Sequence, residues 1–166
     1  MGIRWRTTVN RFPEMISNIE GLNGKKVKVG VMSGGHAWLA GIHEYGCDIR
    51  VTPKMRAYLS ANGLHLSPNT TTIHIPERAF LRGGHDKYAE EVLRKTDRAV
   101  GQVVIGQMSE QQLLDMAGRM LATKIKTYAR DLSEPPNHPY TIEKKGSSNP
   151  LVDTGQMIES ITWEVE

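Results

Sequence analysis

The chain has 166 residues, 39% of them hydrophobic and 23% charged, which fits one domain with its own core and excludes a wholly disordered chain. A net charge of +3 is too small and diffuse to mark a dedicated nucleic-acid reader, and no stretch approaches the roughly 18 uninterrupted apolar residues of a membrane span. The single Cys47 allows no internal disulfide, so packing alone must hold the fold, and "MGIRWRTTVNRF" has charges but no apolar run of a secretory signal behind them.

In chain order, "IRWRTTVN" alternates bulky and polar side chains and predicts a strand over 3–10. Phe12-Pro13-Glu14 opens a short helix reaching residue 22, Pro being acceptable in a first turn, and Asn23-Gly24 is a turn. "KKVKVGVMS" places Val27, Val29 and Val31 on one face with Lys26 and Lys28 between them, the period-two pattern of a half-buried strand. "HAWLAGIHEYG", with Trp38, Ile42 and Tyr45 at helical spacing and a terminal Gly, predicts a helix over 36–46 joined to that strand through Gly34-Gly35. "DIRVTP" and "TTTIHIP" read as strands, while "KMRAYLSANG" between them fits a helical turn or a strand.

A long helical text then covers 86–105, with Tyr88, Val92, Ala99 and Val103 on one side, and breaks at Gly106. Ser109 with Gln112 makes a capping box for a second stretch, in which Leu113, Leu114, Ala117, Met120, Leu121, Ile125, Tyr128 and Leu132 form one apolar stripe. The two stretches are one bent helix or two. Pro135-Pro136 and Pro139 end this region, "EKKGSSNP" reads as a loop, and "SITWEV" closes the chain as a strand with Ile161, Trp163 and Val165 on one face.

Each candidate for chemistry meets a plainer reading. Asp153-Thr154-Gly155 is the tripeptide of aspartic proteases, but that catalysis needs two facing carboxylates and flanking strands that the short remainder after Gly155 does not supply. Asp153 or Thr154 as an N-cap before a helical turn in "GQMIES" explains the residues better. His43-Glu44 begins like a zinc-protease helix, yet Cys47 stands where the second His belongs, and His36, His43 and Cys47 have unsuitable spacing for a metal. Gly34-Gly35 and Gly83-Gly84 lack the spacing of phosphate-binding loops and read as hinges and turns. Lys54, Arg56, Arg78 and Arg82 with Tyr58 and Phe80 make a basic stretch interleaved with aromatics, as single-strand binders use, against the alternative of a solvated face over a packed ring.

Four landmarks in order carry a family resemblance: "KVKVGV" leading to "IHEYG", then "IPERAFLR", a long helical stretch, and "PPNHPYTIEKKGSSNPLVDTG" before "MIESITWEV". Together they resemble the tail-completion or neck proteins of long-tailed bacteriophages, the group with minor tail protein Z-like and virion-morphogenesis proteins. The motif residues are His43, Glu44, Tyr45 and Gly46, then Arg78, Phe80, Leu81 and Arg82, and finally Leu151, Val152, Asp153, Thr154 and Gly155. Ala79 stands where the family often has Pro, and 47–74 holds a longer insertion than its short members carry.

The resemblance implies an α+β fold, a small mostly antiparallel sheet packed against one or two long helices with extended loops. It implies a single domain over 1–166, with a mobile loop at 134–150. It further implies a non-enzymatic structural protein of the virion head–tail junction, assembled in the host cytoplasm, with no catalytic, cofactor or metal residues. Its partners would be itself, in a hexameric ring, the tail terminator or tail tube protein, and the head connector or stopper protein. Genomic DNA in the channel would be touched without sequence preference, and no membrane is expected. The competing expectation is a DNA-binding accessory protein of a phage or prophage, built on the basic aromatic stretch.

Overall fold

A computed structural model describes residues 10–166; the strand expected over 3–10 lies, but for its last residue, outside them. In chain order the described elements are α1 (Phe12–Glu20), β1 (Val27–Gly30), α2 (Gly35–Tyr45), β2 (Cys47–Arg50), α3 (Pro53–Ala61) and β3 (Thr72–Ile75). They continue with α4 (Phe80–Val104), α5 (Glu110–Asp131), α6 (Pro139–Lys145), α7 (Gln156–Glu159) and β4 (Thr162–Val165). The fold is α+β, with two antiparallel sheets of two strands each, β1 with β4 and β2 with β3, in place of one small sheet.

The two long helices are separate. Val104 ends α4, Gly106 turns the chain at φ 73°, and the Ser109–Gln112 capping box starts α5 with both reciprocal hydrogen bonds formed. Asn18 of α1 donates to the carbonyls of Val103 and Val104, satisfying the otherwise open end of α4. Phe80, Val92 and Val103 of α4 and Leu113, Ala122, Ile125 and Ala129 of α5 are buried. The buried line on α5 shares Leu113 and Ile125 with the expected stripe and adds the small residues Gly118, Ala122 and Ala129, which let neighbours approach closely, while Leu121, Tyr128 and Leu132 of the stripe pack half-buried against the core.

Gly83 and Gly84 were expected as a turn; they lie inside α4, which begins six residues before residue 86. Their smallness lets the helices touch: a Cβ on Gly84 would stand 3.0 Å from Ile125 Cγ1 and 3.2 Å from its Cα. Helix propensity alone disfavours glycine by about 1 kcal/mol per residue, so here tertiary packing overrides local preference.

Ile161 and the β1–β4 ribbon lie on α5. Trp163 packs so closely over Gly118 that any Cβ there would overlap the indole, and its Nε1 donates to Asp115 Oδ1 at 3.1 Å. Ile158, Ile161, Met157 and Leu151 complete the core with Phe80 and Ala40. Each large side chain fully buried in this way contributes roughly 1.5–3 kcal/mol.

The segment 47–74, expected as an insertion, forms an arm. β2 and β3 pair with Cys47 opposite Ile75 and Arg50 opposite Thr72, and the undecided segment between them is the helix α3. Thr52 caps α3 by accepting from Met55 N at 3.1 Å, and Arg56 donates to the carbonyls of Leu66, Ser67 and Thr70. Within 134–150, Pro139 starts the short helix α6 in what the sequence suggests is loop, consistent with Pro in a first helical turn.

Candidate functional site

The motif residues of α2 and α4 meet in one joint. Gly46 ends α2 at φ 68°, and a Cβ there would stand 2.8 Å from the Ile75 carbonyl oxygen and 2.9 Å from Glu77 N. Only glycine lets the chain turn into β2 while passing this close to the end of β3. The turn leaves Glu44, one residue before the helix end, aimed at the start of α4.

Helix α4 has no side-chain cap of its own at Ala79. Glu44 supplies one from a distance: Oε2 accepts from Leu81 N at 2.8 Å and Oε1 from Arg82 N at 3.0 Å. A carboxylate against free N–H groups at a helix N-terminus is favourable both as a charge-assisted hydrogen bond and against the helix dipole. Arg82 closes the joint, its Nε donating to Glu44 Oε1 at 2.9 Å and its Nη2 to the Glu44 carbonyl and to Glu77 Oε1. The hydrogen bond to Glu44 raises the Arg82 pKa above its ordinary value, with the Glu77 carboxylate adding to the effect. Glu44 is 2% exposed, and its carboxylate accepts three hydrogen bonds, from Leu81 N, Arg82 N and Arg82 Nε, the satisfaction that a buried carboxylate requires. Tyr45 lies outside, 68% exposed, with the Arg82 guanidinium 4.8 Å above its ring.

Arg78 extends the joint to the segment after α5. Its backbone N donates to the His43 carbonyl, and its side chain, 4% exposed, donates to the carbonyls of Pro135 and Pro136 and to Asn137 Oδ1. Burial pushes the guanidinium below its ordinary pKa. Phe80, fully buried, and Leu81 pack between these polar contacts and the core.

The third motif lies on the other side of α2. A cavity of about 220 Å³ is lined by His36 and His43 of α2, Lys145 of α6, and Asp153, Thr154 and Gly155. His43 Nδ1 is buried there without a hydrogen-bond partner among the described residues. Burial, then the charges of Arg78 and Lys145, hold its pKa down to about 4, so the imidazole is neutral near pH 7. Lys145 Nζ donates to the carbonyls of Asn149 and Pro150; burial lowers its pKa, opposed by the charge of Asp153. Leu151 is core and Val152 packs on it.

Asp153 is not the expected cap. The N-cap of α7 is Gly155 at φ 80°, with no side-chain cap, and Thr154 Oγ1 accepts from Gln156 N only at 3.4 Å. The left-handed conformation at Gly155 makes the helix entry, and Asp153 remains on the surface. The residue that holds the motif is Asn149, absent from the sequence-based set. Its Nδ2 donates to the carbonyls of Arg130 and Leu132, and its Oδ1 accepts from Leu151 N and Val152 N. Asn before Pro is a turn signal that pointed to this position.

The basic aromatic stretch is not assembled as a patch. Arg56 is bound to loop carbonyls, Arg78 is buried, Arg82 is held by Glu44 and Glu77, and Phe80 is in the core. Only Lys54 and Tyr58 of that set are exposed without such ties among the described residues. His36 and His43 share a cavity that does not include Cys47, and no group of three or more His, Cys, Asp or Glu is placed to hold a metal among the described residues. No described helix is long and apolar enough to cross a membrane.

No protein-family model, curated protein or solved structure matches the chain.

Proposed function

We propose that this chain is a structural protein of the bacteriophage head–tail junction, a tail-completion or neck component that assembles as a ring and joins the tail to the DNA-filled head. One observation carries the reading. The motifs "IHEYG" and "IPERAFLR", far apart in sequence, meet at the Glu44 joint, and their polar side chains are occupied by it. Motifs used in this way fix the relative placement of α2, the arm and α4, and leave the work of the protein to its surfaces. Those surfaces include Trp38, 72% exposed, and Tyr45 on the outer face of α2, aromatic residues of the kind that anchor protein contacts.

In this role the protein acts by binding. A ring of subunits completes one end of the tail tube and presents a matching surface to the head connector. Any contact with DNA in the lumen is directed to phosphates and blind to sequence. The basic side chains most suited to free DNA are already bound to carbonyls and carboxylates, which weighs against the accessory DNA-binding role.

The test is the native mass of the purified protein alone and after mixing with tail tubes that lack it. A discrete ring, and attachment at one tube end that restores head joining, are the expected results. A protein that ignores tubes, and binds free DNA with a steep salt dependence, overturns the reading.

A further inference from the structure

The ribbon of β1 and β4 has two outer edges, and neither meets another described strand. Lys26 and Glu166 exchange both backbone hydrogen bonds, at 2.7 and 2.8 Å, which fixes the phase of the ladder. Bonded and non-bonded pairs alternate along antiparallel strands. Lys28 with Glu164 and Gly30 with Thr162 therefore bond inward, while Val27, Val29, Trp163 and Val165 turn their backbone N–H and C=O groups outward. No other described element hydrogen-bonds to these outward groups. A groove of about 370 Å³ runs beside β1, with Val27, Val29, Leu81 and Leu121 in its lining, so α4 leaves that edge open.

An edge that no described strand pairs is a template for another strand, and the side chains determine which one. On the solvent face, β1 and the residue before it carry Lys28 and Lys26, whereas β4 and the residue after it carry Glu164 and Glu166, all exposed. Pairing β1 with β1 sets lysine against lysine, and pairing β4 with β4 sets glutamate against glutamate; like charges on facing strands are destabilising. Only β4 of one copy beside β1 of another opposes unlike charges. The same arrangement keeps Trp163 and Val165 on the side of the sheet that Val27 and Val29 occupy.

We infer that copies of this chain join head to tail through this ribbon, the outer edge of β4 in one copy adding antiparallel to the outer edge of β1 in the next. The contact uses different surfaces on its two sides, so it is heterologous and repeats until the rotation closes a ring. It takes self-assembly from the proposed function and adds the surface that carries it.

Val27→Pro and Val165→Pro each remove one outward N–H and leave the inward bonds of the ribbon in place. Native mass spectrometry at equal concentrations reads the result. The unmodified protein is expected as a closed oligomer, each variant alone as a folded monomer with one cooperative thermal transition, its midpoint lower by the lost subunit contact. An equimolar mixture of the two is expected as a dimer and nothing larger, because one intact edge of each kind remains across the pair. Rings that persist in either variant overturn the edge contact but leave a ring-forming protein; a monomeric unmodified protein overturns both. Should a proline variant fail to fold, Lys28→Cys and Glu164→Cys in a Cys47→Ser background replace it. Disulfide dimers in their mixture but in neither alone are expected, and dimers in either alone overturn the head-to-tail pairing.

Discussion

The described residues form two antiparallel ribbons of matched length, and the helix behind one of them accounts for most of the difference between them. β1 and β4 lie on α5, with Ile161 buried, Trp163 seated on Gly118 and hydrogen-bonded to Asp115, and Arg119 stacked 5.5 Å from the indole. β2 and β3 alternate half-buried and exposed residues, and the helix α3 between them buries none of its side chains. Two strands alone are marginal in water. The first ribbon is stabilised by the core, and the second by local braces: the Thr52 cap, the three carbonyls held by Arg56, and the joint at Glu44 and Gly46 where the arm meets the body.

The joint is where the comparison breaks most easily. Glu44→Ala leaves the Leu81 and Arg82 N–H groups and Arg82 Nε without their acceptor. Leaving these donors unsatisfied at a buried helix start costs about 3 kcal/mol, and urea unfolding should show an unfolding free energy lower by that amount, read as the fall in midpoint multiplied by the slope. Glu44→Gln keeps an acceptor and the shape, and should cost roughly 1–2 kcal/mol. Two variants as stable as the parent would mean that α4 is held by its packing alone.

A smaller effect comes from pH. His43 is held neutral with a pKa of about 4, against 6.5 for an unperturbed imidazole. The unfolded chain binds a proton in that window that the folded chain refuses, so stability from this site is complete above pH 6.5 and falls as the pH drops toward 4. Thermal midpoints between pH 7.5 and 4.5 should decline, and His43→Leu should flatten part of that decline. An unchanged slope in the variant would assign the acid sensitivity to other groups.

What could be read from the sequence followed from local rules. The period-two valines of β1, the Ser109–Gln112 box and the break at Gly106 each depend on residues within a turn of one another, and each stands where expected. Contacts made across the fold were not legible in that way. Gly83-Gly84 resembles a turn until α5 is seen to need the space, and Glu44 resembles half of a metal motif until it is found at the start of α4. The arginines of the basic stretch looked free because a sequence does not show which backbone carbonyls will face them. Asp153-Thr154-Gly155 marked the right place for a wrong reason: the left-handed glycine, with Asn149 holding the preceding turn, sets the geometry.

The arm offers the smallest effect and the sharpest separation of the two ribbons. Arg50 and Thr72 are direct partners in the ladder, and beyond them Val51 N donates to the Thr71 carbonyl at 2.9 Å, so Val51 and Thr71 are a hydrogen-bonded pair and Asn-Gly in place of 52–70 closes β2 and β3 as a two-residue hairpin. The replacement removes α3 and the Arg56 contacts but touches neither Glu44 nor Gly46. Shortening the connection recovers loop entropy of about 2 kcal/mol, against the loss of a helix that buries no side chain. The midpoint of global unfolding should stay level or rise, with hydrogen exchange along α4 and α5 unchanged. A fall in stability would show that the excursion supports the body; a stable protein would mark α3 as an appendage held out from a core that does not need it.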